Sequence, residues 1–168
     1  MSLERIWAGW RNDYVSGVAQ VVPIVGECVF CAVLREPEAT DRERLVVYRG
    51  ERVVAMLNLY PYGSGHLLVL PLRHLADLNE LTAEERVEMF DTVINATTAL
   101  RAAYGPDGMN VGANLGRAAG AGIPGHLHLH ALPRWAGDTN FMTSIAELRV
   151  IPEDLGTTYD KIQGAWPS

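Results

Sequence analysis

The segment Gly125-His126-Leu127-His128-Leu129-His130-Ala131-Leu132-Pro133 holds three of the chain's five histidines, in strict alternation with apolar residues. On an extended backbone successive side chains point to opposite faces. His126, His128 and His130 therefore share one face, while Leu127, Leu129 and Ala131 share the other, which suits a core. An imidazole loses hydration on burial and packs a core poorly, so three on one face argue for a site rather than an unused exposed strand. Neutral imidazoles can ligate a metal. Against a metal, no Asp or Glu interleaves in this strand, and same-face neighbours stand about 7 Å apart. The other chemistry is nucleophilic: one ring attacks while its neighbours hold its tautomer. With an ordinary pKa of about 6.5, much of a histidine is neutral at cytoplasmic pH. Phosphorus suits such a nucleophile, because the phosphoramidate formed is labile enough for a second acceptor to displace. The other two histidines, His66 and His74, also lie on apolar segments able to pair with this strand.

Such a strand needs a sheet to hold it. Residues 45–48, 53–59 and 66–70 are rich in Val, Leu and Tyr and are bounded by turn residues, which predicts consecutive antiparallel strands. Thr82 followed by Glu85 has capping-box spacing and predicts a helix start. Val87, Phe90, Ile94, Thr97 and Leu100 then recur at three- and four-residue steps, predicting one apolar stripe toward the core. Gly105 and Pro106 end that helix. A fourth strand is expected over 109–113, a glycine loop over 116–125, a fifth strand over 126–132 and a short helix within 152–166. The reading is an α+β fold: a mainly antiparallel five-stranded sheet, one long helix and a shorter C-terminal helix. Residues 1–25 read as an irregular arm offering Trp7, Trp10 and Tyr14. With no repeat and no linker, residues 1–168 are expected to form one domain.

Two further features bear on chemistry. Glycines in the loop permit close approach of backbone N–H groups to an anion, and Arg117 adds charge. Cys28 and Cys31, spaced C-x-x-C, are half of a tetrahedral metal site or a redox pair. The redox role is the weaker, because no helix N-terminus is evident to depress a thiol pKa. The net charge of −6, without a basic stripe, speaks against a protein that coats nucleic acid. The longest apolar runs, such as 67–72, are too short to cross a bilayer. The first ten residues lack the apolar core of a signal peptide. A cytoplasmic protein, free of membrane and nucleic acid, is the expectation.

The histidine motif, with apolar residues between and after its histidines, resembles the signature of the histidine triad (HIT) superfamily of nucleotide hydrolases and transferases. Cys28-Val-Phe-Cys31, Leu57-Asn58-Leu59-Tyr60-Pro61, Gly65-His66-Leu67-Leu68-Val69-Leu70-Pro71 and Arg73-His74 are similar to that family as well. The tail from Pro133 through Trp135, Gly137 and Asp138 to Met142 looks like one branch, the bacterial diadenosine tetraphosphate phosphorylases. The resemblance runs over residues 28–142. It implies a HIT-like fold and a transfer through a nucleotidyl-histidine intermediate, with diadenosine tetraphosphate and phosphate giving ATP and ADP. The alternative is a hydrolase of dinucleoside polyphosphates or nucleoside phosphoramidates. The loop before the triad lacks the glutamines of the eukaryotic hydrolase branch, which speaks against that alternative.

By position, the resemblance implies that His128 is the nucleophile, that His130 lies beside the α-phosphate and bridging oxygen, and that His126 orients the nucleophile. It implies substrate contacts from Asn58 (to ribose), His66, Asn114, Gly120, Ala121 and Gly122. Cys28, Cys31, His74 and His126 become ligands of a structural zinc, or the cysteines are two reduced thiols without metal. No organic cofactor is implied. Relatives are generally at least dimers, so a homodimer or higher oligomer is expected.

Overall fold

The strand β3 (Leu67–Pro71) is buried along its whole length and lies at the middle of a five-stranded sheet. The computed structural model describes residues 26–35, 40–138 and 153–167. Around β3 the strands β1 (Val46–Arg49), β2 (Val53–Leu57), β4 (Gly108–Ala113) and β5 (Leu129–Arg134) run in the order β1-β2-β3-β5-β4, each antiparallel to its neighbours. Strand β3 pairs Val69 with Leu129 and Leu68 with His130, while β4 pairs Gly112 with His130 and Ala113 with Leu129. The start of β5 is thus held from both sides. The fold is α+β, as expected from the sequence.

The expected first strand begins one residue late, at Val46, because Leu45 has φ 59°, a left-handed conformation outside any strand. The expected fifth strand begins three residues late. Opposite the segment 126–128 lies Pro71, which has no N–H to give to a ladder, and its carbonyl bonds the His126 ring instead. The short apolar stretch around the cysteines forms a helix, α1 (Val29–Arg35).

The long helix α2 (Ala83–Tyr104) starts and stops as expected. Thr82 caps the Glu85 N–H, the Glu85 carboxylate caps the Thr82 N–H, and Gly105 closes the helix at φ 54°. Its inward face is a correction. Val87, Phe90 and Ile94 are 63%, 67% and 49% exposed, whereas Met89, Val93, Ala96, Ala99 and Leu100 are buried. The helix carries two apolar stripes. The one containing Ala96 and Ala99 wins the core because small side chains let the helix approach the sheet closely.

Each face of the sheet has its own cover. On one side α2 and α3 (Leu155–Gly164) pack over Val53, Ala55, Leu67, Val69, Leu127 and Ala131. Arg42 anchors α3 by pairing with Asp160 and lying over the Tyr159 ring. On the other side Phe30 of α1 packs against Val46, Val54, Met56, Leu68 and Leu70. Replacing such a buried phenylalanine with alanine costs roughly 3–5 kcal/mol. The link from β3 to α2 is fixed by a two-pronged pair from Arg73 Nε and Nη2 to Glu85 at 2.9 and 2.8 Å. Arg73 Nη2 also donates to the Glu80 carbonyl at 2.6 Å. Glu85 is 5% exposed, and the Arg73 guanidinium holds its carboxyl at a pKa of about 2. No helix among the described residues is long and apolar enough to cross a membrane. The aromatic residues of the 1–25 arm and the tail residues Thr139 to Met142 lie outside the described residues.

Candidate active site and metal centre

The alternation of histidine and apolar residue extends beyond the strand itself. Leu127, Leu129 and Ala131 pack with the α2 side of the sheet, and the three imidazoles gather on the α1 side. His128 and His130 have ring centroids 5.0 Å apart. Phe30 meets His126 at 5.5 Å and His128 at 5.3 Å, edge to face.

One hydrogen bond defines the state of His128. Its Nδ1 lies 2.8 Å from the backbone carbonyl of His126. A carbonyl only accepts, so Nδ1 carries the proton, and in the neutral ring Nε2 keeps its lone pair. The ring is 7% exposed, so that lone pair sits in a poorly hydrated environment. The contact between the two residues thus runs through the His126 backbone carbonyl and not through its ring.

A second chain of bonds defines His130. The Tyr62 N–H donates to His66 Nδ1 at 3.0 Å. Asn58 Oδ1 accepts from the Tyr60 N–H at 2.9 Å, which turns the Asn58 amide nitrogen toward the same His66 atom at 3.2 Å. His66 Nδ1 is therefore an acceptor, and its proton lies on Nε2. From there it is donated to His130 Nδ1 at 2.9 Å. His130 must then carry its own proton on Nε2, which is buried without a partner among the described residues. Burial, reinforced by the neighbouring His128, holds the His130 pKa below its ordinary value. A neutral ring with a buried, unmatched N–H donor is costly unless a ligand accepts from it. Tyr62 stacks over His130 at 5.8 Å and backs this arrangement.

The cysteines meet two histidines on the same side. Cys28 Sγ lies 3.4 Å from His126 Nδ1, and Cys31 Sγ lies 3.4 Å from His74 Nδ1 and 3.6 Å from His126 Nδ1. The four ligand atoms all fall within 4.8 Å of one another. A tetrahedral zinc with bonds of about 2.3 Å to sulfur and about 2.0 Å to nitrogen spaces its S and N ligands about 3.5 Å apart. The protonation pattern fits too. His126 Nε2 donates to the Pro71 carbonyl at 2.8 Å, which leaves Nδ1 unprotonated and turned to the thiols. This is the outer hydrogen bond that a ligating histidine normally makes. Cys28, Cys31, His74 and His126 can therefore hold a metal. Burial and the adjacent Cys28 push the Cys31 thiol pKa up, opposite to the shift of a redox thiolate, although α1 does place a helix start at Cys28.

The glycine loop leaves β4 at Asn114, one residue past the Ala113–Leu129 pair and hence beside the triad. Gly116 and Gly120 have φ of 79° and 91° around a single 3₁₀ turn, Arg117–Ala119. The N–H groups of Gly120 and Ala121 donate within the loop, to Arg117 and Gly116 carbonyls at 3.0 and 3.3 Å. Of the three expected phosphate-binding N–H groups, only that of Gly122 lacks a partner among the described residues, and the space at its Cα is open. Sequence reasoning missed Phe30, the Pro71 carbonyl and the Tyr62 N–H. For the last two no signal was available, since backbone groups carry none. Phe30 was legible only as one of two apolar residues inside the C-x-x-C.

Comparison with known proteins identifies the family. A family model for the HIT domain matches residues 39–137. The chain is 38% identical over 165 residues to the AP-4-A phosphorylase of Mycobacterium tuberculosis, covering 98% of this chain and 85% of that protein. Among solved structures it superposes on a Zn-bound histidine triad family protein from Mycobacterium smegmatis with a TM-score of 0.66. That pair shares 28% identity, over 83% of this chain and 92% of that one. A histidine triad nucleotide-binding protein from Sulfolobus tokodaii gives the same TM-score and identity, over 82% and 91% of the two chains. With the triad on one face and a domain match over more than half its length, this chain belongs to the HIT family.

Proposed function

We propose that the protein is a nucleotidyltransferase that cleaves dinucleoside polyphosphates by phosphorolysis, converting diadenosine tetraphosphate and phosphate to ATP and ADP. The observation that carries this reading is the His128 Nδ1 proton bound to the His126 carbonyl, which makes Nε2 the nucleophilic nitrogen of the neutral ring. In the first displacement Nε2 forms a bond to the α-phosphorus and the bond to the bridging oxygen breaks. ATP leaves, taking the His130 Nε2 proton where the leaving oxygen needs one. In the second, a phosphate oxygen attacks the nucleotidyl-histidine, ADP forms and His128 is regenerated. The Gly122 N–H and the Asn114 amide are assigned to the phosphates, with Gly120 and Ala121 shaping the loop. Asn58 is assigned both to the ribose and, through its amide, to holding His66. The relative's AP-4-A phosphorylase name supports this acceptor.

Zinc is assigned to Cys28, Cys31, His74 and His126, where it ties α1 to the sheet; no organic cofactor enters the reading. Residues 1–168 are taken as one HIT-like domain, with an arm over 1–25 and the motif region over 28–142. A homodimer or larger homo-oligomer is part of the proposal, supported by the exposed Val87, Phe90 and Ile94 stripe and by Val111 on the edge strand β4. A cytoplasmic location suits reduced thiols and a nucleotide substrate. The test is incubation with diadenosine tetraphosphate, with and without phosphate, followed by nucleotide chromatography. ADP and ATP formed only with phosphate support phosphorolysis. AMP and ATP formed at equal rate in both assign the protein to the hydrolases.

A further inference from the structure

Phe30 is 6% exposed, lies between the two cysteines in sequence, and packs edge to face on both His126 and His128. A single hydrogen bond at Nδ1 fixes one atom of the His128 ring and leaves the ring free to rock about that contact. Two rings limit the rocking: Phe30 at 63° and His130 at 69° to the imidazole plane. His130 is itself held by His66. Phe30 is held by α1, whose seven residues pack through Phe30, Val33 and Leu34 on Val46, Val54, Met56, Leu68 and Leu70. So short a helix has little stability of its own and depends on its tertiary contacts. Cys31 on the helix and Cys28 just before it reach His74 and His126, so the metal cluster and the Phe30 contact anchor the same helix.

We propose that Phe30 is a positioning residue for His128, and that the cysteine–histidine cluster acts on the reaction by seating α1, and with it the Phe30 ring, against the nucleophile. The proposal rests on His128 being the reacting group. It gives the C-x-x-C a task beyond holding a terminal segment. The residue between the cysteines reports the state of the cluster to a ring two positions along from one of its ligands. A loosened Phe30 lets Nε2 drift from the line of attack, and misplacements of about 1 Å cost on the order of 100-fold in rate.

The test compares wild type with Phe30→Leu, which keeps apolar volume and removes the ring. Phe30→Met is read the same way should the leucine variant not fold. For each, kcat and KM toward diadenosine tetraphosphate, zinc content and the ¹⁵N imidazole signals of His128 are measured, with metal and after chelation. The expected result is retained zinc, a kcat lower by about 10- to 100-fold with KM within about 2-fold, and altered His128 ring signals. Chelated wild type is expected to show the same altered signals, and chelation of Phe30→Leu to add little. Unchanged His128 signals, or a loss confined to KM, overturns the proposal, the latter because it places Phe30 against substrate. A wild type inert toward the substrate sinks the functional reading instead, while the His128 signals still decide this one.

Discussion

His66 Nε2 and His130 Nδ1 lie 2.9 Å apart and are joined by one proton whose position is set by the Tyr62 N–H on the far side of His66. The consequence is a directed relay that ends in an N–H on His130 Nε2, beside a His128 whose proton points away, toward the His126 carbonyl. Neighbouring rings thus hold opposite tautomers, one with a bare Nε2 and one with an Nε2–H donor, without a carboxylate between them.

Replacing His66 with leucine should remove the donor to His130 and leave His130 free to adopt either tautomer. We expect kcat to fall roughly 100-fold, within the range of a lost general acid. The loss should shrink with an AMP ester of an acidic phenol, whose leaving oxygen needs no proton. An equal loss with both substrates would assign His66 a purely structural part.

Protein purified without chelators should contain about one zinc per chain, and Cys31→Ser should reduce that content and lower the thermal midpoint. Metal analysis by mass spectrometry reads the first point and calorimetry the second. Zinc absent from the wild type would leave Cys28 and Cys31 as two reduced thiols.

The Arg73–Glu85 pair makes a pH-dependent contribution to stability. Its carboxyl has a folded pKa of about 2 against an ordinary 4.5, so the contribution is complete above about pH 4.5 and is lost as pH falls through the folded value. Between pH 5 and 2 wild type should lose about 2 kcal/mol more than Glu85→Gln, a figure reduced for the exposure of Arg73. Urea titrations at several pH values measure it. Parallel curves for the two proteins would show that the pair contributes nothing.

The outward stripe of α2 offers a test of assembly. Phe90→Glu combined with Ile94→Glu should yield a monomer by sedimentation with unchanged far-ultraviolet circular dichroism, because neither side chain enters the core. A wild type that sediments as a monomer would contradict the oligomer.

Local signals in the sequence were read correctly where one residue type has one physical use. The Thr82–Glu85 box, Gly105 in its left-handed turn and the alternation of histidine with leucine all appear in place. Alternation held even at His126 and His128, ahead of the strand, because both leucines and histidines have partners waiting on their own sides. Reading failed where two solutions competed. Helix α2 has two apolar stripes, and periodicity alone cannot tell that Ala96 and Ala99 fit closer to the sheet than Phe90 and Ile94. It also failed at Phe30: only the family resemblance joins Cys28 to His126 across 98 residues, and nothing local marks Phe30 as their neighbour. The helix around the cysteines went unread because a seven-residue apolar stretch shows no clear period.

The central claim is a covalent bond between His128 and a nucleotide. It is tested most directly by mixing enzyme with diadenosine tetraphosphate in the absence of phosphate, quenching in alkaline denaturant that spares phosphoramidates, and recording intact and peptide masses. The account requires an adenylyl adduct on the peptide containing His128 that disappears when phosphate is added and never forms in His128→Ala. Turnover at the wild-type rate by His128→Ala, or an adduct borne by another residue, would contradict it.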